Sequence, residues 1–535
     1  MADSRPITGL VPRPVAVRPA GGELRLGAAA TIAGPPAVVR LARELLGTAT
    51  GFALPPGGDQ ATIRLHTADV PGGGAEAYRL SVGPAGVRVV GATDGALING
   101  LHTLVQLLPP EIYRPAVVRG AHWILPQVEI EDLPRFSWRG VHLDVARHFM
   151  PAPWLFRFVA LLALHKLNVL HLHLTDDQGW RFPSERFPRL IEVGAWRAGT
   201  PIGYQGDGGV EPTPHGGYYA RRELADLVTF AAERNVVVVP EIDLPGHVGA
   251  VLAAYPELGN GTGPYETWTR WGVNRHILNL APGTLHFCTQ LLGEVADVFP
   301  GPFIHVGGDE VPPDEWRLSP AVQQRRTELG LVDERQLQGW FTSQLGACLS
   351  DLGRRLVGWD EILEGGGPPD GATVTAWRGT AAGVAAARAG CDVVMCPENP
   401  LYLDHYQADG PDEPLAMPGA NTLADVCAFD PIADGLDTAA ERVLGGQVQL
   451  WTEYLPDPRS VEYMAFPRTS AFADTVWAPV GGDPSERERR VVSHLTRLDM
   501  LQVAHRPPGG PHPWQRGGHG RRGNPNRAGV PSRKS

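Results

Sequence analysis

Two rhythms of apolar positions divide the chain. Before about residue 135 the apolar runs are short and alternate, as in AYRLSV (77–82) and GVRVVG (86–91), with PAG between them as a hairpin signal. One helical pattern precedes these runs, PPAVVRLARELLG (35–47), and another follows, ALINGLHTLVQLL (96–108). Each places apolar residues near i, i+3 and i+4. The pattern predicts a small α+β domain over residues 1–135, closed by EIEDLPRF (129–136) as a linker.

From about Trp138 the rhythm changes to strand-like runs separated by helical stretches. Eight such runs occur: RGVHLDVAR (139–147), NVLHLHLTDD (168–177), VVVVPEIDLPGH (236–247), PFIHVGGDE (302–310), RLVGWDEI (355–362), TVTAWRG (373–379), DVVMCPE (392–398) and GGQVQLWTE (445–453). Near-continuous Val, Ile and Leu mark strands covered on both faces, as in parallel sheets. Eight β/α units predict an α/β fold in which a closed (β/α)8 barrel occupies residues 136–505. The tail, 506–535, is basic and rich in Gly and Pro, and is expected to be disordered from about Gly517.

Composition narrows the function classes. The net charge is −11, and the segment from His505 on holds seven basic and no acidic residues, which leaves −18 on the rest. An acidic body argues against nucleic acid or an anionic membrane as a partner and favours a neutral substrate. The five cysteines, with no CxxC spacing, suggest reduced thiols and neither a disulfide framework nor a zinc ribbon. No apolar stretch approaches the ~20 residues of a membrane span, and the N-terminus lacks a signal-type apolar core. A cytoplasmic chain is the expectation from the residues as written, with secretion only if a signal has been removed.

Candidate chemistry gathers at the ends of the eight runs, where a barrel places its active site. After Gly307 and Gly308 come two adjacent acids, Asp309 and Glu310. The glycines allow a bend and the close approach of a ligand, and a pair of acids at a barrel mouth can split its protonation states between ionised and neutral. Trp359, Trp377 and Trp451 stand near three strand ends; any one of them fits a core, while three beside paired acids suggest a wall for sugar rings. His171 and His173 have metal-ligand spacing, which keeps a metal-dependent amidohydrolase barrel as an alternative. Their mid-strand position favours core histidines bonded to neighbours, as for His305, whereas His247 at a strand end is expected to face the site.

In one order along the chain stand LDVARHFMP, KLNVLHLHLTDDQGWR, PHGGYY, PEIDLPGH, IHVGGDEV, GWDEIL, TAWRG, LYLDHYQ, LWTEYL and FPRTSAFADTVW. These motifs, from about residue 80 to 515, resemble the β-N-acetylhexosaminidases of glycoside hydrolase family 20. The resemblance implies a small α+β domain ahead of a (β/α)8 barrel, and release of terminal β-linked N-acetylglucosamine or N-acetylgalactosamine by a substrate-assisted route. It implies Glu310 as general acid, Asp309 as the partner of the substrate's acetamide N–H, and Tyr402 as donor to the acetamide oxygen. Trp359, Trp377 and Trp451 would box the sugar, Arg147, Asp404 and Glu453 would hold its hydroxyls, and Asp176 with His247 would tune Glu310. It implies no cofactor and no metal, small carbohydrates as partners, and a monomer or homodimer. Disaccharide-releasing or chitin-directed members of the family are the nearest alternatives. Asp474 stands where the family commonly has Glu, in a segment read as structural.

Overall fold

The computed structural model describes residues 5–516, so the basic stretch from Gly517 lies outside the described residues. Eight parallel strands close into a barrel in chain order: Trp138–Asp144, Val169–His173, Val237–Glu241, Phe303–His305, Arg355–Trp359, Thr373–Ala376, Asp392–Met395 and Val443–Leu450. The last strand pairs back onto the first, from Gly445 against Trp138 to Leu450 against Leu143. Each apolar run of the sequence supplies one strand. Helices such as Ala152–Leu164 and Arg221–Ala232 cover the outside. The first begins Ala-Pro-Trp, and Pro153 sits in the first turn, where a missing N–H costs no hydrogen bond.

The barrel interior is layered. Its N-terminal end is plugged by Trp138, Val169, Val239 and Val394, with Phe303 packed against them. Above this plug the inward positions turn polar. The strand register sets His142 beside His171 and Glu241 beside both His173 and His305, so these buried groups share a narrow slice of the interior. The C-terminal mouth lies above them.

The N-terminal region forms one mixed six-stranded sheet in the order Ala16–Arg25, Ile124–Asp132, Tyr78–Gly83, Gly86–Gly91, Ile63–Thr67 and Ile32–Ala33. Helix Asp94–Leu107 is buried along nearly its whole length between this sheet and the barrel helix Ala152–Leu164. The expected linker needs correction, because its first four residues, Glu129 to Asp132, finish a strand. Period-two alternation continues through them, with Val128, Ile130 and Asp132 turned inward. The last inward residue is an acid because a barrel residue meets it. Lys166 Nζ donates to Asp132 Oδ2 at 2.8 Å, Tyr78 Oη donates to the same oxygen at 2.6 Å, and Trp477 Nε1 donates to Oδ1 at 2.9 Å. Arg139 adds a second tie, with guanidinium bonds to both oxygens of Glu76 at 2.6 and 3.0 Å.

Asp474 is buried and structural. It accepts from the Arg13 backbone at 2.6 Å, from Arg487 at 2.9 Å and from Arg490 at 2.7 Å. All five cysteines are free thiols. Among the described residues no helix is long and apolar enough to cross a membrane.

Candidate active site

The fourth strand ends in a backbone that only a few residue types hold at low cost. Gly307, Gly308 and Glu310 all have positive φ (66°, 94° and 48°), a region that costs an L-residue about 1–2 kcal/mol. A side chain at position 307 would overlap the carboxylate of Asp243, and the Gly308 N–H donates to Asp243 Oδ1 at 3.1 Å. The close approach permitted by glycine here is therefore made by a neighbouring strand end and not, as expected, by a ligand. The bend turns Asp309 inward, at 9% exposure, and leaves the Glu310 side chain 42% exposed.

One imidazole faces both acids. His247 Nε2 lies 3.6 Å from Asp309 Oδ2 and 3.6 Å from Glu310 Oε2. Its Nδ1 lies 3.4 Å from Asp176 Oδ1 and 3.3 Å from Asp177 Oδ2. Burial opposes its charge, but Asp176 and the surrounding carboxylates raise its pKa well above the ordinary histidine value. The two acids then part company. Burial pushes Asp309 up, and the charge of Glu310 acts in the same direction against His247. Burial also acts upward on Glu310, but the facing imidazolium, with Arg147 further off, holds its carboxyl below the ordinary value. The proton thus prefers the aspartate over the proposed general acid while Glu310 is open to water.

Asp243 completes this corner. Burial and the charge of Asp309 raise its pKa well above the usual carboxylate range, so it is held neutral. The neutral Asp243 carboxyl hydrogen-bonds the Asp309 side chain, which partly offsets the cost of burying that acid.

The aromatic residues form a wall next to the acids. Tyr402 stacks on Trp377 with ring centroids 6.2 Å apart and lies 6.3 Å from Trp451. Trp451 is 5.9 Å from Trp359. Trp377 and Trp451 are half-buried, whereas Trp359 is 1% exposed and forms the floor, with its Nε1 donating to Glu241 Oε1 at 2.9 Å. Trp377 is held by Glu361, whose Oε2 accepts its N–H at 3.0 Å; burial and the charge of Asp309 push Glu361 up to about 8.

The Arg147 guanidinium lies 4.9 Å from the Trp451 ring. It is anchored to Asp176 at 2.7 Å, Gln178 at 3.0 Å and Asp144 at 3.3 Å. Burial raises Asp404 to about 6 and Glu453 to about 7. Asp404 Oδ1 is buried without a hydrogen-bond partner, while the Trp451 N–H is hydrogen-bonded to Tyr402.

The structure thus gathers the acids, His247, Arg147, Tyr402 and the tryptophans at one mouth and leaves His171 and His173 below it. The candidates missed were Asp243, Glu241 and Glu361. The first two had a legible signal: inward Val239 puts Glu241 and Asp243 on the same face by alternation. His171 and His173 are core residues turned toward Glu241, whose oxygens already face His171, His173, His305 and the Trp359 N–H.

Acids, an imidazolium and an aromatic wall at the C-terminal mouth of a closed (β/α)8 barrel define a barrel protein of the glycoside hydrolase kind. The catalytic-domain model of glycosyl hydrolase family 20 matches residues 136–480, and the model of that family's domain 2 matches residues 8–133. The chain belongs to glycoside hydrolase family 20. It is 40% identical over 429 residues to a beta-hexosaminidase of Porphyromonas gingivalis, and 35% identical over 408 residues to one of Vibrio furnissii. These matches take in 79% and 74% of this chain, but the chain spans only 54% and 64% of those relatives' length. The solved N-acetyl-beta-hexosaminidase of Streptomyces plicatus superposes with a TM-score of 0.83 at 32% identity, covering 96% of this chain and 99% of that one. The domain-2 match reaches well before residue 80, where the resemblance read from motifs began.

Proposed function

We propose that the chain is an exo-acting, retaining β-N-acetylhexosaminidase that hydrolyses terminal β-linked N-acetylglucosamine or N-acetylgalactosamine through an oxazolinium ion. One observation carries this reading: adjacent Asp309 and Glu310 converge on the same His247 nitrogen at 3.6 Å each, beside a wall of Trp377, Tyr402 and Trp451. A double-displacement mechanism with an enzyme nucleophile needs two carboxyls about 5 Å apart across the scissile bond. Two neighbours that share one imidazole serve better if one handles the proton and the other handles a nucleophile belonging to the substrate.

In this reaction Glu310 protonates the glycosidic oxygen while the acetamide carbonyl oxygen attacks the anomeric carbon and the leaving group departs with the bond's electron pair. Asp309 accepts the acetamide N–H and balances the positive charge as the ring closes. Tyr402 donates to the acetamide oxygen. Glu310, now a carboxylate, takes a proton from water as that water attacks the anomeric carbon and the bond from that carbon to the acetamide oxygen breaks, its electron pair restoring the acetamide; two inversions give net retention. The low pKa of Glu310 is compatible with this role, because a leaving group seated over its exposed face expels water and raises it. Arg147, Asp404 and Glu453 hold the ring hydroxyls, and small carbohydrates are the partners.

The test is turnover of aryl β-glycosides bearing N-acetylglucosamine, N-acetylgalactosamine or plain glucose. Activity on the first two and almost none on the third is expected. Equal activity on the plain glucoside, which lacks the nucleophile, would overturn the mechanism.

A further inference from the structure

Beneath the acids, buried charges continue into the barrel. Both ring nitrogens of His173 face carboxylates: Nδ1 lies 2.5 Å from Glu241 Oε2, and Nε2 lies 3.0 Å from Asp176 Oδ2. Asp176 in turn meets Arg147 at 2.7 Å and His247 at 3.4 Å, and His247 meets Glu310 and Asp309. We infer that Glu241 is a positioning residue for the acid pair, acting through His173 and Asp176.

Two acceptors on opposite sides of one imidazole require both nitrogens to donate, so His173 is an imidazolium. Its neighbours support this. Burial acts downward, yet Glu241, Asp176 and the charge of Asp144 raise His173 well above the ordinary value. His171 and His142 do not compete for the charge. The Gln447 carboxamide oxygen accepts from Trp138 Nε1 at 3.2 Å, which turns its NH2 toward His171 Nδ1 at 3.0 Å. That leaves the His171 proton on Nε2, facing Glu241 Oε2 at 3.0 Å, and burial lowers this ring to about 4. His142 packs 5.6 Å from the His173 ring, and burial lowers its pKa well below the ordinary value. His305 Nδ1 lies 3.0 Å from the other Glu241 oxygen, and its Nε2 faces the Thr375 hydroxyl.

The alternation of charges has a consequence at the mouth. Glu241 keeps His173 protonated, and His173 gives Asp176 a fixed cationic donor on the side away from His247. Asp176 is then held as an oriented carboxylate that locks the His247 ring. Glu241 also holds the Trp359 N–H. One carboxylate at the barrel floor therefore sets both the wall and the ionised chain that ends at Glu310. A solitary buried carboxylate would be costly; here, against its burial, the surrounding His305, His173 and His171 rings hold Glu241 well below the usual carboxylate range.

Glu241→Gln removes the negative partner of His173. The ring keeps Asp176 but, being buried, loses its proton at a lower pH than before. The chain is then intact only in acid, so the defect must depend on pH. Relative to wild type, kcat/KM is expected to fall roughly 10–100-fold near pH 8, with KM nearly unchanged, and to recover as the pH falls and His173 regains its proton. His171→Gln perturbs the same carboxylate without lying on the path to Asp176, and its deficit should be independent of pH. Imidazole nitrogen spectra of the histidine-labelled protein should show both His173 nitrogens protonated near pH 8 in wild type and one deprotonated in Glu241→Gln.

A wild-type His173 that is neutral near pH 8 overturns the inference, as does a Glu241→Gln deficit with the flat pH dependence of His171→Gln. If Glu241→Gln does not fold, the wild-type spectrum alone decides. The kinetic arm rests on the hydrolase reading above, but the spectrum does not. A wild-type chain inactive on N-acetylhexosaminides would sink that reading while the protonation of His173 still decided this one.

Discussion

His247 and Glu310 face each other across the barrel mouth with Nε2 and Oε2 3.6 Å apart, and both hold left-handed backbones, with φ of 53° and 48°. Two strained non-glycine residues in direct apposition are what a pre-organised acid site stores. The imidazolium holds Glu310 low while burial holds Asp309 high. Turnover needs the opposite arrangement, with Glu310 protonated and Asp309 ionised. With the two groups in this inverted order, kcat/KM falls as pH drops below the lowered pKa of Glu310 and as pH rises above the raised pKa of Asp309, and between them the productive form is a constant fraction. The productive form is thus a minor one in the free protein. Substrate covers Glu310 and raises it, so the acid limb of kcat should lie at higher pH than that of kcat/KM. Coincident limbs in the two profiles would contradict this account. His247→Asn should move the alkaline limb of kcat/KM upward while lowering kcat roughly 10²–10⁴-fold.

Asp309 is a stability cost as well as a functional group. Its raised folded pKa means that ionising it opposes folding above that pKa, and that the penalty vanishes below the ordinary aspartate value. Asp309→Asn should therefore melt at a higher temperature than wild type at pH 7, with the gain disappearing toward about pH 3. Its kcat should fall by about 10²–10³-fold, as for loss of a group that stabilises transition-state charge. A melting curve unchanged at neutral pH would show that the burial of this carboxyl is otherwise compensated.

Gly307→Ala tests the bend. The positive φ alone costs about 1–2 kcal/mol, and the added methyl would displace the Asp243 carboxylate. Denaturant unfolding should show a loss above the backbone figure, with a fall in kcat of at least about tenfold from misplacing the acids. Wild-type kcat in the alanine variant would mean that Asp243 does not set their position.

One tie between the N-terminal sheet and the barrel is the buried pair of Asp132 and Lys166. Asp132→Ala strips the acceptor from Lys166, Tyr78 and Trp477 together. Breaking a buried pair costs about 3–5 kcal/mol. The loss should be visible in urea unfolding, while kcat per folded molecule should be preserved because the pair lies far from the mouth. An unchanged midpoint would remove this pair as an anchor.

Much of this molecule is determined locally along the chain. Eight apolar runs specify eight strands because a strand covered on both faces needs apolar residues at nearly every position. The end of each run marks the mouth, which is why Asp309, Glu310, His247 and the tryptophans are legible from the pattern, whereas Tyr402, beyond the seventh run, is reached only through the family resemblance. Alternation also contained Glu241 and Asp243, although a lone acid inside an apolar strand gives no hint of its partner.

Partners are what only the tertiary structure decided. Asp132 read as part of a linker because Lys166, which neutralises it, lies 34 residues further on. The glycines of GGDE read as room for a ligand, whereas the side-chain space at Gly307 is taken by Asp243 and that at Gly308 by Ile362, both distant in the chain. The pKa order of Asp309 and Glu310 follows from which one the bend buries and which one His247 faces. Covalent neighbours share a position in the sequence, but burial and charge act through space, and strand register in the closed barrel determines which groups meet.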